Sequence, residues 1–173
     1  ILPATPGRTT MCPVELGCDA DNAPMLALLP IDTRLQPQSL AELRARSELW
    51  TRIRLDPDSP ERLADALTEV MRTKAVSIET ARALGFWHDD QPDDNPPMIA
   101  EGLVEVPAWR HAAINYPHPL LQHGLVVLDT PGLNAIGAEP ELTLSLLPAA
   151  HAVVFILGAD TGVTKSDLAI WRD

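Results

Sequence analysis

Hydrophobic and polar positions alternate along this chain with two different periods. Met11 to Leu16 and Met25 to Ile31 are short apolar runs separated by Gly17-Cys-Asp-Ala-Asp-Asn-Ala-Pro24. That spacer is rich in turn formers, so the pair predicts a β-hairpin with a long loop. A helical period follows. Ser39 is placed to cap a helix whose Leu40, Leu43, Trp50 and Ile53 fall on one face. Asp56-Pro-Asp-Ser-Pro60 breaks it, and Ser59 as N-cap with Pro60 at the first helical position starts a second helix. Leu63, Ala66, Leu67, Val70 and Met71 form its apolar face. Ser77 opens a shorter third helix that Gly85 stops. Strand-like residues return at Leu103 to Val106 and Ala112 to Tyr116. Gly124 to Asp129 predicts a buried, central parallel strand, Glu139 to Leu147 a helix, and Ala152 to Leu157 another buried strand. The alternation predicts an α/β fold with a helical insertion from about Ser39 to Phe86.

At 173 residues the chain is long enough for one domain with a real core. It begins at Ile1 and ends at Asp173 inside a predicted helix, so we read it as incomplete at both ends. No apolar stretch in these residues is long enough to span a membrane, and none of them reads as a signal peptide. The formal net charge of −11 argues against nucleic acid as a partner and against direct docking on anionic lipid. Cys12 and Cys18 lack a second pair or a histidine at zinc spacing, which fits two free thiols in a reducing cytoplasm. His88-Asp-Asp-Gln-Pro-Asp-Asp-Asn-Pro-Pro97 lacks the glycine and terminal glutamate of a calcium loop and is read as a solvated surface loop. His111, His118, His123 and His151 show no metal spacing, and His118, between two prolines, is read as structural.

Candidate chemistry concentrates in Leu125-Val-Val-Leu-Asp-Thr-Pro-Gly-Leu133. Ligands of open α/β sheets sit at the carboxyl ends of the strands. An acid ending such a strand is where the Walker-B aspartate of a P-loop NTPase meets the nucleotide-bound Mg²⁺, which makes Asp129 a metal candidate. Gly132 lets a backbone N–H approach a phosphate oxygen with no Cβ in the way. Upstream, Pro6-Gly-Arg-Thr-Thr-Met-Cys-Pro13 offers two adjacent hydroxyls, Thr9 and Thr10, between a glycine turn and a proline. A nucleotide switch needs such a segment to supply a hydroxyl to the metal.

Asp129-Thr130-Pro131-Gly132 resembles the third sequence motif of GTPases, in a setting similar to that of the dynamin superfamily and its bacterial members. Tyr116-Pro-His-Pro-Leu-Leu before it and Leu133-Asn134 after it fit that group better than the Ras-like one, which places a catalytic glutamine where this chain has Leu133. Thr10-Met-Cys-Pro13 matches the spacing of the family's second motif, which selects Thr10, with Thr9 in reserve. The resemblance is carried by Ile114 to Asp173 and less fully by Ile1 to Leu16. It implies a P-loop NTPase-like mixed sheet flanked by helices, with GTP as substrate and Mg²⁺ as cofactor. The implied metal ligands are Thr10 and Asp129, with Thr10 and Gly132 catalytic. Thr9, Thr130, Pro131 and Asp160 join Asp129 and Gly132 around the nucleotide.

In dynamin relatives the loop corresponding to Gly158-Ala-Asp-Thr-Gly-Val163 lies beside the nucleotide, where paired GTPase domains meet. Asp160 and Thr161 could contribute there, or the loop could be an ordinary strand-to-helix connection. Thr164-Lys-Ser-Asp167 looks like the guanine-reading motif but begins directly after a predicted strand. Its Thr-x-x-Asp pattern reads more simply as the cap of the helix Leu168-Ala-Ile-Trp171. The family implies self-association through GTPase domains, a cytoplasmic location, and membrane contact through regions outside this chain. Against the enzyme reading, the chain contains no Gly-x-x-x-x-Gly-Lys-Ser/Thr, the loop that cradles phosphates. In the family that loop precedes the switch segment, so it would fall before Ile1. The alternative is a non-hydrolysing pseudo-GTPase that acts as a scaffold, with the helical insertion as its working surface.

Overall fold

A computed structural model describes residues 12–90, 92, 95–131 and 150–154. The elements run β1 (Val14–Gly17), β2 (Met25–Pro30), α1 (Leu40–Arg44), β3 (Thr51–Arg54), α2 (Pro60–Thr68), β4 (Thr73–Ser77) and α3 (Ile78–Ala83). They continue as β5 (Met98–Ala100), β6 (Leu103–Pro107), β7 (Trp109–Asn115), α4 (Pro119–Gln122) and β8 (Val127–Asp129). The fold is mixed α/β with two sheets, one ordered β3-β2-β7-β1-β8 and a smaller one ordered β4-β6-β5. In the larger sheet β1 and β7 are parallel and the other neighbours antiparallel.

Helix starts follow the caps written in the sequence. Ser39 Oγ accepts from the Glu42 backbone N–H, and Glu42 reaches back to the Ser39 N–H at 2.8 Å, a capping box. Ser59 accepts from the Arg62 N–H, with Pro60 at the first helical position. Ser77 accepts from the Thr80 N–H at 3.1 Å. Gly85 ends α3 at φ 77, where Phe86 N donates to Ala81 O at 2.8 Å and Gly85 N to Arg82 O at 3.1 Å. Those two bonds are the Schellman pair, and a left-handed φ of that kind favours glycine.

Three expectations are corrected by non-local pairing. β1 and β2 do not form a hairpin, because β7 lies between them and pairs with both. The long connection is fixed by Asn115 rather than by a tight turn. Its Nδ2 donates to the carbonyls of Asp19, Asn22 and Ala23 at 3.0–3.2 Å, and its Oδ1 accepts from Asp19 N at 2.7 Å. The helix after Ser39 ends at Arg44, short of Trp50 and Ile53. Trp50 instead donates its indole N–H to the Leu43 carbonyl at 2.9 Å, and Ile53 enters β3, opposite Leu26. With β3 and β4 inside it, the stretch from Ser39 to Phe86 is mixed rather than purely helical. The third correction concerns β8. It is antiparallel to β1, with Val14 opposite Asp129, and ends the described sheet rather than occupying its centre. Leu125, Val126 and Val127 are exposed, Val126 at 58%. An apolar run gives no information on strand direction, and here α4 and Gly124, at φ 89, turn the chain so that it re-enters against β1.

The core lies on the β1–β7–β2 face against α2. Cys12, Val14, Leu26, Leu67, Val70 and Trp109 belong to its main cluster. On α2 and the turn after it, Leu63, Ala66, Leu67 and Val70 recur at helical spacing against this cluster, which matches the expected apolar face. The small sheet has its own cluster, in which Val104 and Val106 meet Ala81, Leu84 and Phe86.

Candidate functional site

The register of β8 on β1 decides what surrounds Asp129. Because Val14 stands opposite Asp129, the chain entering β1 and the chain leaving β8 lie at the same end of the sheet. Residues 12 to 14 are fully buried there, and the Pro13 carbonyl accepts from Ala112 N at 2.9 Å, which clamps the entry to β1 against β7. Asp129 and Thr130 are half-buried and Pro131 is buried. Cys12 is 2% exposed, and its thiol is pushed up to about 12, first by burial and then by the charge of Asp129. Both cysteines are free, as expected. The structure therefore sets Cys12 beside the candidate metal ligand Asp129, a neighbour that no local pattern around either residue pointed to.

A cavity of about 500 Å³ opens beside this point, between the sheet, α2 and α4. Val14, Leu16, Leu63 and Leu67 line it, while Asp129, Tyr116 and His118 supply its polar groups. No lysine or arginine is among its lining residues, so the described part of the site offers no cation to a phosphate. Among the described residues there is also no group of three or more His, Cys, Asp and Glu able to hold a metal. Asp129 offers a hard oxygen donor of the kind Mg²⁺ takes.

Asp129, Thr130 and Pro131 are thus the expected site residues that fall within the described structure. Thr9, Thr10, Gly132 and Asp160 lie outside the described residues. So do the helix expected over Glu139 to Leu147, residues 155–157 of the strand expected from Ala152, Thr161 and the Thr164–Asp167 pattern; the described residues 152–154 are exposed and in no strand, which corrects the buried strand expected there. His118 is the N-cap of α4, its Nδ1 accepting from Leu120 N at 3.3 Å, which matches its structural reading. The described part of the acidic loop is held by Asn95, which exchanges two hydrogen bonds with the His88 backbone, and by Asp89, which pairs with Arg82.

A second polar cluster went unread in the sequence. Arg44 pairs with Glu15 on the sheet, and its Nη2 lies 3.5 Å from Nε2 of His111, which is 0% exposed. Arginine only donates, so that nitrogen accepts and the proton sits on Nδ1, which has no hydrogen-bond partner among the described residues. Burial first, then the charges of Arg44 and Arg110, push the His111 pKa down to about 4. The signal available was a histidine at an inward position of the strand Trp109-Arg-His-Ala-Ala-Ile-Asn115.

No protein-family model matches the chain, and no solved structure matches it significantly. The chain is 39% identical over 76 residues to a bacterial dynamin-like protein of Nostoc punctiforme. That stretch covers 44% of this chain and 11% of the relative, so the chain spans a small part of its length. The likeness supports, loosely, a dynamin-like relationship.

Proposed function

We propose that this chain contributes to a GTP-binding and GTP-hydrolysing domain of dynamin type, with Asp129 holding Mg²⁺ directly or through a water. The observation that carries the reading is the β1–β8 register, which brings the entry to β1 to the same end of the sheet as Asp129. Thr10 is two residues before Cys12, a reach of at most about 7 Å of extended chain. That register supports reading the Thr10-Met-Cys-Pro13 segment together with Asp129-Thr-Pro-Gly132 as parts of one site. Bound there, Mg²⁺ would neutralise charge developing on the transferred phosphate. Asp129 would orient the metal, Thr10 would add a hydroxyl once the terminal phosphate is present, and the Gly132 N–H would face a phosphate oxygen. Thr9, Thr130, Pro131 and Asp160 would complete the surroundings of the nucleotide.

Domain pairing and membrane remodelling rest on the likeness to the dynamin-like relative alone. No helix among the described residues is long and apolar enough to cross a membrane. The scaffold reading keeps one observation in its favour, the lack of Gly-x-x-x-x-Gly-Lys-Ser/Thr within these 173 residues. One experiment separates the two. Asp129→Ala in the full-length protein should abolish Mg²⁺-dependent GTP hydrolysis while the circular dichroism stays native. Hydrolysis at the wild-type rate in that variant would remove the assignment, and a wild-type protein that neither binds nor hydrolyses GTP would favour the scaffold.

A further inference from the structure

The small sheet turns one apolar edge to solvent. Its inner face is covered, since Val104 and Val106 pack against Ala81, Leu84 and Phe86. Two side chains from the segment that leaves β2 hold it in place. Arg34 lies over the Phe86 ring, 4.6 Å from its centroid, and Asp32 accepts from Lys74 Nζ at 2.7 Å. β5 pairs with β6 on one side and, among the described residues, with no strand on the other. Its three residues are exposed, Met98 at 62% and Ile99 at 50%, and the exposed Leu103 of β6 adds another large apolar side chain.

An edge strand leaves backbone N–H and C=O groups open to a further strand, and proteins commonly guard such edges with lysine or an inward-pointing charge. β5, Met98-Ile99-Ala100, carries neither. Pro96 and Pro97 before it and the register shift between Met98 and Ala100 keep the open edge short. Backbone pairing over so short a strand sets register, so affinity has to come from side chains. The charge around the edge selects them. From Thr73 to Pro107 the chain has two cationic residues, Lys74 and Arg82, against seven acidic ones. Both cations are engaged, Lys74 with Asp32 and Arg82 with Asp89. Glu101, next to β5, and Glu105 on β6 are exposed. A second copy paired through β5 would bring two such acidic surfaces together, which disfavours it.

We propose that the β5 edge is a docking site for an extended peptide segment in which apolar residues alternate with lysine or arginine. The segment's backbone continues the small sheet beyond β5, its apolar side chains cover Met98 and Ile99, and its cations meet Glu101 and Glu105. Glu105 stands two interstrand spacings away, about 10 Å, which a lysine and a glutamate side chain span together.

The test uses the full-length protein and a short, end-blocked peptide of alternating valine and lysine, with calorimetry and hydrogen exchange as readouts. Binding should be saturable and should slow exchange at residues 98–100. Ile99→Lys, a change at an exposed position, should raise Kd about tenfold or more, the least that covering an isoleucine is worth. Should that variant fail to fold, Glu101→Lys carries the same direction of change, and Glu105→Gln should weaken binding several-fold. A valine–glutamate peptide and a valine–lysine peptide N-methylated at alternate residues should not bind. Failure of the valine–lysine peptide to bind overturns the proposal, as does an unchanged Kd for the variants, equal binding of the N-methylated peptide, or protection that falls away from β5. Sedimentation that shows a wild-type dimer dissolved by Ile99→Lys would assign the edge to a second copy and overturn it as well.

Discussion

Mild acid should destabilise this protein through His111 before any carboxylate contributes. The ring is fully buried against the Arg44–Glu15 pair and edge-on to Trp50, with ring centroids 6.1 Å apart. Burial, Arg44 and Arg110 lower its pKa from 6.5 to about 4, and the nearest acid, Glu15, stands 3.9 Å from Nε2. The unfolded chain takes up a proton on this residue near pH 6.5, while the folded chain stays neutral until about pH 4. Stability from this group is therefore complete above pH 6.5 and is lost as the pH falls towards 4. At 1.36 kcal/mol per pH unit, the loss by pH 5 is about 2 kcal/mol, rising to about 3 kcal/mol at pH 4. Glu42, held low by its hydrogen bonds with Ser39, and Asp89, held low by Arg82, lose their contributions only below the ordinary carboxylate range. The interval from pH 7.5 to 5 thus isolates the histidine. Urea unfolding of the wild type and of His111→Gln across that interval gives the measurement. The wild type should lose about 2 kcal/mol more than the variant. Parallel losses in the two proteins would show that His111 is not held neutral by this environment.

Two further outcomes follow from the packing around Asp129. Leu67→Ala should lower stability by about 2–4 kcal/mol, because a buried leucine in the main cluster leaves a cavity that α2 cannot fill; a change under 1 kcal/mol in chemical denaturation would mean that this face is not core. Cys12 should resist thiol reagents at pH 8 in the native protein, since its thiol is buried and raised to about 12, while the half-buried Cys18 is labelled. Mass spectrometry of the labelled protein reads this directly, and Cys12 reacting as fast as Cys18 would contradict the burial.

Local chemistry makes the helix starts and the site motif legible in the sequence alone. Ser39, Ser59 and Ser77 as caps, Pro60 at a first helical position and Gly85 as a stop act within one turn of themselves, so their sequence neighbourhood contains the whole argument. Asp129 at the end of an apolar strand followed by Thr-Pro-Gly is a local pattern of the same kind. What surrounds that pattern is decided elsewhere in the chain. The hairpin expected of β1 and β2 gives way to β7, about eighty residues downstream, which pairs with both strands, while Asn115 holds the intervening loop from a distance. The apolar spacing that assigns Trp50 and Ile53 to a helix serves instead to cap α1 and to supply an edge strand to β2. The same holds for Cys12, Trp109 and His111, whose surroundings come from residues far away in sequence. Their neighbours are set by strand register, and register is an energy shared across several strands that no single segment encodes.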